Sequence, residues 1–358
     1  MYNMYLPSEW HQQAFVQMTW PHQDTDWAPM LADAIVCFSE IAKEVAKREP
    51  LLIVAQDVAQ AQRDLQTQGV SLENMTFVAC PTNDTWARDH AFITCMEDGT
   101  DKDCAHRTKG EVILKDFQFN GWGMKFAANW DNQINEGILK EVKSIYEKAS
   151  IQANYENHLD FVLEGGSIES DGEGTLMVTT SCLLSKNRNS TLNQQDIELK
   201  LKKHFHANRV LWLTESWLAG DDTDGHIDTV ARFCTSSSIA YVKCTEKTDE
   251  HYEKLKVMEQ ELMEMRTADG NPYTLYPLPL PDACFDEDGL RLPATYANFL
   301  IINGAVLVPT YHQPQKDDMA IATLKKAFPH HEVVGIDCRV LIWQHGSLHC
   351  STMQFPTL

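Results

Sequence analysis

The chain has 358 residues, 43 % of them hydrophobic, and 51 acidic against 30 basic residues give a formal charge of −21. That length and apolar content suffice for one large core or two ordinary ones, whereas the charge, with no Lys/Arg cluster, excludes nucleic acid or an anionic lipid surface as partner. No apolar run is long enough to span a bilayer, MYNMYLPSEWHQQ lacks the basic and apolar regions of a secretory signal, and ten scattered cysteines without a CxxC pair suit a reducing cytoplasm, which is the expected location.

Apolar residues at helical spacing between Trp27 and Arg48 predict a helix that stops before Pro50. LLIVA then reads as a buried strand, DVAQAQRDLQTQG as a helix and NMTFVAC as a strand. The polar turn PTNDTWARDH leads to two further strands, AFITC and EVILKDFQF. The order repeats: ILKEVKSIYEKAS (helix), LDFVLEGGS (strand and turn) and TLMVTTSCLL (strand). IELKLKKHFHA follows, then RVLWLTE, the turn GDDTDGH, and strands over IDTVARFC and IAYVKC. HYEKLKVMEQELMEMR leads to YTLYPLPL, ANFLII and AVLVPTY. MAIATLKKAF leads to EVVGID, to RVLIW as a short buried strand, and to the HGSLHC turn, in which Gly346 reverses the chain.

Five helix-plus-strands modules result, each with a polar or glycine-rich turn. With Asp89, Glu164, His226, Asn298 and Cys350 as markers, the turns recur at steps of 75, 62, 72 and 52 residues. Such recurrence favours an α/β fold packed pseudo-symmetrically about a centre, although an irregular α/β domain also alternates helices with strands. No interdomain linker is visible, so a single catalytic domain over 1–358 is expected. EDGTDKDCAHRTKG reads as a long hairpin loop, and PLPDACFDEDGLRLP as a loop over the active face.

Several turns carry chemistry. Trp86, Arg88 and Asp89 share one, and Asp221, Asp222, Asp224, His226 and Asp228 crowd another. If 226–230 is a strand, His226 and Asp228 lie on the same face. A cysteine, a histidine and two carboxylates in one cleft are unsuited to an oxyanion, which the carboxylates would repel. They suit a guanidinium, a planar cation that pairs with carboxylates through forked hydrogen bonds. Its carbon is a poor electrophile and needs a thiolate, and a free cysteine is only a few per cent ionised at neutral pH until a nearby imidazolium or the bound cation raises that fraction.

TNDTWARDHAF, LEGGSIESDGEGTLMVTTSCLL followed by RN, TDGHIDTVARF, NFLIINGAVLVPTY and HGSLHCSTMQFP together resemble the agmatine deiminase and bacterial-type peptidyl-arginine deiminase family. The resemblance runs from Thr19–Pro21 to the final proline region. It implies a five-fold pseudo-symmetric α/β propeller with a central active site, and covalent cysteine catalysis without cofactor or metal. By the same resemblance Cys350 attacks the guanidinium carbon, and His226 protonates the leaving ammonia and then activates water against the thiouronium. Asp89 and Asp228 hold the guanidinium nitrogens, while Trp86 walls the pocket and Asn298 lines it. Glu164 matches a family block and is expected to support the substrate site from behind. His349 reads as structural, because adjacent side chains of an extended segment point opposite ways.

In the bacterial peptidyl-arginine branch, arginines grip the substrate's α-carboxylate. The corresponding stretch here, FNGWGMKF, offers Gly121, Trp122 and Gly123 and no arginine, although Lys125 leaves free arginine open. Trp122 and Asp222 are the candidates for holding the ammonium end of agmatine. The resulting expectation is conversion of agmatine, a small cationic guanidine, to N-carbamoylputrescine and ammonia, in polyamine synthesis. The alternatives are an arginine or peptidyl-arginine deiminase forming citrulline, a metal-binding protein using His345, His349 and Cys350, and a silent guanidine binder. Association into a homo-oligomer through the outer helices is left open.

Overall fold

The computed structural model describes residues 3–98 and 110–358, so the loop expected over EDGTDKDCAHRTKG lies almost wholly outside the described residues. Short apolar runs become buried strands, and the amphipathic segments between them become covering helices. LLIVA is buried at every position and pairs in parallel on both sides, with Gln13–Thr19 and Met75–Ala79. Helix Leu31–Ala46 makes the first crossover, burying Phe38, Ile41 and Val45. Helix Val58–Thr67 makes the second, and the Asp57 carboxylate caps it by accepting from the Gln60 N–H.

One local order recurs in five open sheets: an antiparallel pair, then a helix, then a strand added in parallel. Ile93–Asp98 and Glu111–Gln118 form the first such pair, extended by Gln152–Val162 after helix Ile134–Lys148. Ile168–Ser170 and Thr175–Thr179 form the next, extended by Arg209–Leu213 after helix Gln194–Phe205. Ala231–Thr235 and Ser238–Lys243 follow, with Thr274–Pro279 after helix Tyr252–Glu264. Leu300–Ile302 and Ala305–Thr310 follow in turn, with Glu332–Asp337 after helix Pro314–Ala327. In the fifth sheet the antiparallel partners come from opposite ends of the chain, Thr352–Pro356 lying against Gln13–Thr19. Phe15 and Phe355 stack across this pair with centroids 4.3 Å apart. Among the described residues no helix is long and apolar enough to cross a membrane.

Four local readings need correction. RVLIW is not a strand: Arg339–Ile342 is a single helical turn, and the strand of this region is Thr352–Pro356, after Cys350. Four consecutive apolar residues fit a buried helical turn as well as a strand, and here only Leu341 and Ile342 are buried. TSCL, read as part of a strand, is a helical turn capped by Thr179, whose hydroxyl accepts from the Cys182 N–H. Ile227–Thr229 is a 3₁₀ turn, so strand alternation does not govern His226 and Asp228. The loop PLPDACFDEDGLRLP carries a small hairpin, Cys284–Phe285 with Arg291–Leu292, and packs on Gly220 rather than lining the active cleft.

Because Phe15 and Phe355 are fully buried, Phe355→Ala is expected to cost about 3–5 kcal/mol. Urea denaturation should show a lowered midpoint, and an unchanged midpoint would deny the terminal pairing this weight.

Candidate active site

Four of the turns converge on one point. Asp89 sits in the helical turn Ala87–His90, where its Oδ1 accepts from the Gly166 N–H at 3.1 Å and its Oδ2 from Trp122 Nε1 at 2.9 Å. A Cβ on Gly166 would lie 2.6 Å from His226 Nδ1, 2.9 Å from Asp89 Oδ1 and 3.0 Å from Asp228 Oδ2. Only glycine fits where these three side chains meet, which accounts for the EGGS turn. Cys350 lies just before the last strand, with its Sγ 3.4 Å from Asn298 Oδ1 and its carbonyl accepting from the Arg88 N–H at 3.1 Å.

Buried polar groups normally find partners. Both ring nitrogens of His226 and Asp228 Oδ1 are buried and find none within the protein. His226 Nδ1 lies 3.6 Å from Asp89 Oδ1, beyond hydrogen-bond reach. Asp228 Oδ2, by contrast, accepts from His349 Nδ1 at 2.7 Å.

The electrostatics follow from burial and from this crowding. Burial alone would lower the His226 pKa, but Asp89, with Cys182 and Glu164, overrides it and raises it to about 10. Burial pushes Asp89 up to about 6, against the pull of His226 and with the help of Asp228. Asp228 is held below the usual carboxylate range, because the His349 hydrogen bond and charge, with His226 and Arg232, outweigh its burial. Burial, then the Asp228 and Asp89 charges, push the Cys350 thiol well above its ordinary value.

A cleft with about 450 Å³ of open space reaches Cys350 and Asp89 from solvent. Its walls are the rings of Trp86, Trp122 and Phe126, and its carboxylates are Asp26, Asp84, Asp89 and Asp222. No lysine or arginine lines it among the described residues. Lys125 is held elsewhere, donating to Asp224 Oδ1 at 2.7 Å and to the Asp222 carbonyl. Trp122 is held at φ 53°, a left-handed conformation unusual for a bulky residue. Its bond to Asp89 offsets that strain and ties FNGWGMKF to the site. Burial pushes Asp84 up to about 6, opposed by bonds from Thr85, Trp27 and Trp86.

Cys350, Asp89, Trp86, Trp122 and Asp222 therefore face the cleft, and His226 and Asp228 meet Asp89 at its buried end. Asn298 stands beside Cys350, accepting from the His349 and Cys350 N–H groups. Glu164 does not line the cleft: both its oxygens accept from Arg188 Nε, at 2.9 and 3.0 Å. Glu164, Cys182 and His226 place donor atoms within 4.8 Å of one another, as a metal would require, but the Arg188 guanidinium already occupies Glu164. His345, His349 and Cys350 do not form a metal set, since His345 donates to the Gly220 carbonyl and His349 lies between Asp228 and Glu9. Sequence reasoning missed Glu9, Asp26, Arg188 and Arg232. Arg188 stood in a quoted motif, whereas Glu9 and Asp26 carried no signal at all.

The Asp89 carboxylate is the largest of the charges that hold the His226 pKa up, so Asp89→Asn should lower it from about 10, with Cys182 and Glu164 still opposing burial. NMR titration of ring-labelled histidine reads this directly, and an unmoved resonance would contradict the pairing.

Residues 5–356 match the family model of the Porphyromonas-type peptidyl-arginine deiminases. A Pseudomonas aeruginosa agmatine deiminase is 31 % identical, over 98 % of this chain and 95 % of its own. A solved Porphyromonas gingivalis structure, provisionally named an arginine deiminase, is 46 % identical with a TM-score of 0.86, covering 99 % of each chain. A cysteine-to-serine variant of C. jejuni agmatine deiminase with substrate bound is 35 % identical with a TM-score of 0.86, covering 99 % of this chain and 97 % of that one. The chain belongs to the Porphyromonas-type peptidyl-arginine deiminase family.

Proposed function

We propose that this chain is an agmatine deiminase working through a covalent Cys350 adduct. The observation that carries the reading is the meeting of a thiol, two carboxylates and an unpartnered histidine at the end of an acidic cleft. A guanidinium lodged there gives its N–H donors to Asp89 and to Asp228 Oδ1. Its positive charge also offsets the two carboxylates that oppose ionisation of Cys350, so substrate binding itself promotes the thiolate. The thiolate forms a C–S bond to the guanidinium carbon. The C–N bond to a terminal nitrogen then breaks, and that nitrogen leaves as ammonia with a proton from the His226 imidazolium. Neutral His226 next takes a proton from water as its oxygen attacks the thiouronium carbon. The C–S bond breaks, and N-carbamoylputrescine leaves.

The choice of agmatine over arginine rests on the cleft's charge. Asp26, Asp84 and Asp222 meet the distal end of the substrate, with Trp86, Trp122 and Phe126 flanking an aliphatic chain. They favour an ammonium and repel an α-carboxylate, which the paired Lys125 is not free to receive. The arginine reading is favoured by the likeness to the 46 % identical P. gingivalis protein, so both substrates belong in one test. The five recurring sheets support a pseudo-symmetric α/β propeller arranged about this site as one catalytic domain.

Incubation with agmatine, free arginine and a blocked arginine peptide should release ammonia and a ureido product from agmatine, and Cys350→Ala should abolish both. Asp89 must be ionised to bind a cation, so kcat/KM should fall as the pH drops below about 6. Turnover of arginine in preference to agmatine would overturn the substrate, and full activity in Cys350→Ala would overturn the mechanism.

A further inference from the structure

Glu9 lies between strands Asn3–Tyr5 and Gln13–Thr19, remote in sequence from every motif of the site. Its carboxylate nevertheless ends a chain of contacts that leads to Asp228. His349 Nε2 lies 2.8 and 3.0 Å from the two Glu9 oxygens, and the Nδ1 of the same buried ring lies 2.7 Å from Asp228 Oδ2. An ionised carboxylate only accepts hydrogen bonds, so both contacts are hydrogen bonds when the ring carries both of its protons. Glu9 is kept ionised because Arg232, His349 and Arg88 outweigh its burial. Burial, with Arg232 and Arg88, drives the His349 ring toward its neutral form, and Glu9 and Asp228 oppose this. Removing the Glu9 charge therefore loosens the proton that the ring shares with it.

The chain also divides the labour of the Asp228 carboxylate. Oδ2 is spent on His349, which leaves Oδ1 as the buried atom without a partner. We infer that Glu9 and His349 are positioning residues for the reaction: His349 fixes the Asp228 carboxylate so that Oδ1 meets the guanidinium, and Glu9 acts only through His349. This rests on the guanidinium reading of the site. The competing account is purely structural, since Glu9 also pairs with Arg88 and Arg232 and accepts from Gln354.

Amide substitutions separate the two accounts. In His349→Asn the shorter amide retains a donor near Nδ1 for Asp228 but does not reach Glu9. In His349→Gln the longer amide reaches Glu9 and leaves Asp228 without its donor. Glu9→Gln keeps an oxygen for one of the two arginines, which bond to different Glu9 oxygens. For the wild type, these three variants and the Glu9→Gln/His349→Asn double variant, kcat and KM for agmatine are measured beside thermal stability. His349→Gln should raise KM about 10-fold or more, the size expected for a charge-assisted hydrogen bond, whereas His349→Asn should stay within about 3-fold. Glu9→Gln should raise KM in the wild-type background and change it less than about 2-fold in the His349→Asn background, because a residue acting through another is not additive with it.

Equal losses in His349→Asn and His349→Gln that follow their melting temperatures would overturn the inference, as would a Glu9→Gln effect of the same size in both backgrounds. If Glu9→Gln does not fold, the two His349 variants decide alone. A wild type that turns over no guanidine overturns the reading of the site and these roles with it. An active wild type with indifferent variants overturns the positioning roles only.

Discussion

Two carboxylates and a thiol share one buried point, and among the described residues no lysine or arginine lines the cleft that opens on it. Like charges held in a low-dielectric interior repel strongly unless compensated. The fold supplies compensation from behind. Arg88 pairs with Glu9, Arg188 with Glu164 and Asp224, and Arg232 with Glu169 and Glu9. These arginines are saturated by carboxylates of their own layer, so the cleft in front keeps its negative field. A cation arriving there does two things at once: it satisfies Asp89 and Asp228, and it removes the charges that hold the Cys350 proton in place. On the proposed reading, binding and activation of Cys350 are then one event. A neutral or anionic molecule in the same cleft would meet an un-ionised thiol.

The topology explains how such a site can be built from one turn of each module. In each of the five larger sheets an antiparallel pair precedes the parallel strand, so the turns leading into those pairs recur along the chain. Those turns contribute Asp89, the EGGS glycines, His226 with Asp228, and Asn298. The last contribution, Cys350, comes from the chain's end, and it is held because Thr352–Pro356 pairs with Gln13–Thr19 and packs Phe355 on Phe15. A reactive residue near a terminus would be a liability if that terminus frayed. Here the terminal strand is paired and buried.

Much of this was legible in the sequence. The helices and paired strands follow from apolar periodicity, because burial writes its period into the chain. RVLIW misled because a short apolar run carries no period, and IDTV because a 3₁₀ turn after glycine resembles the start of a strand. His226 and Asp228 nevertheless arrive at one point, for a reason the sequence could not show: both pack around Gly166, some 60 residues earlier in the chain. Cys350, His226, Asp89 and Asp228 were visible as motifs. Glu9 was not, since its bond to His349 spans 340 positions and a lone glutamate near a terminus resembles any other surface acid. Glu164 was expected to support the site from behind, and both its oxygens accept from Arg188 Nε, 24 residues further along the chain.

The central claim is that Cys350 forms a bond to the guanidinium carbon of agmatine. Rapid acid quench during turnover, followed by mass analysis of the C-terminal peptide, tests it most directly. The account predicts a transient adduct on Cys350 with the mass of agmatine less ammonia, which disappears as N-carbamoylputrescine accumulates. Steady turnover with an unmodified Cys350 peptide at every time point would contradict it.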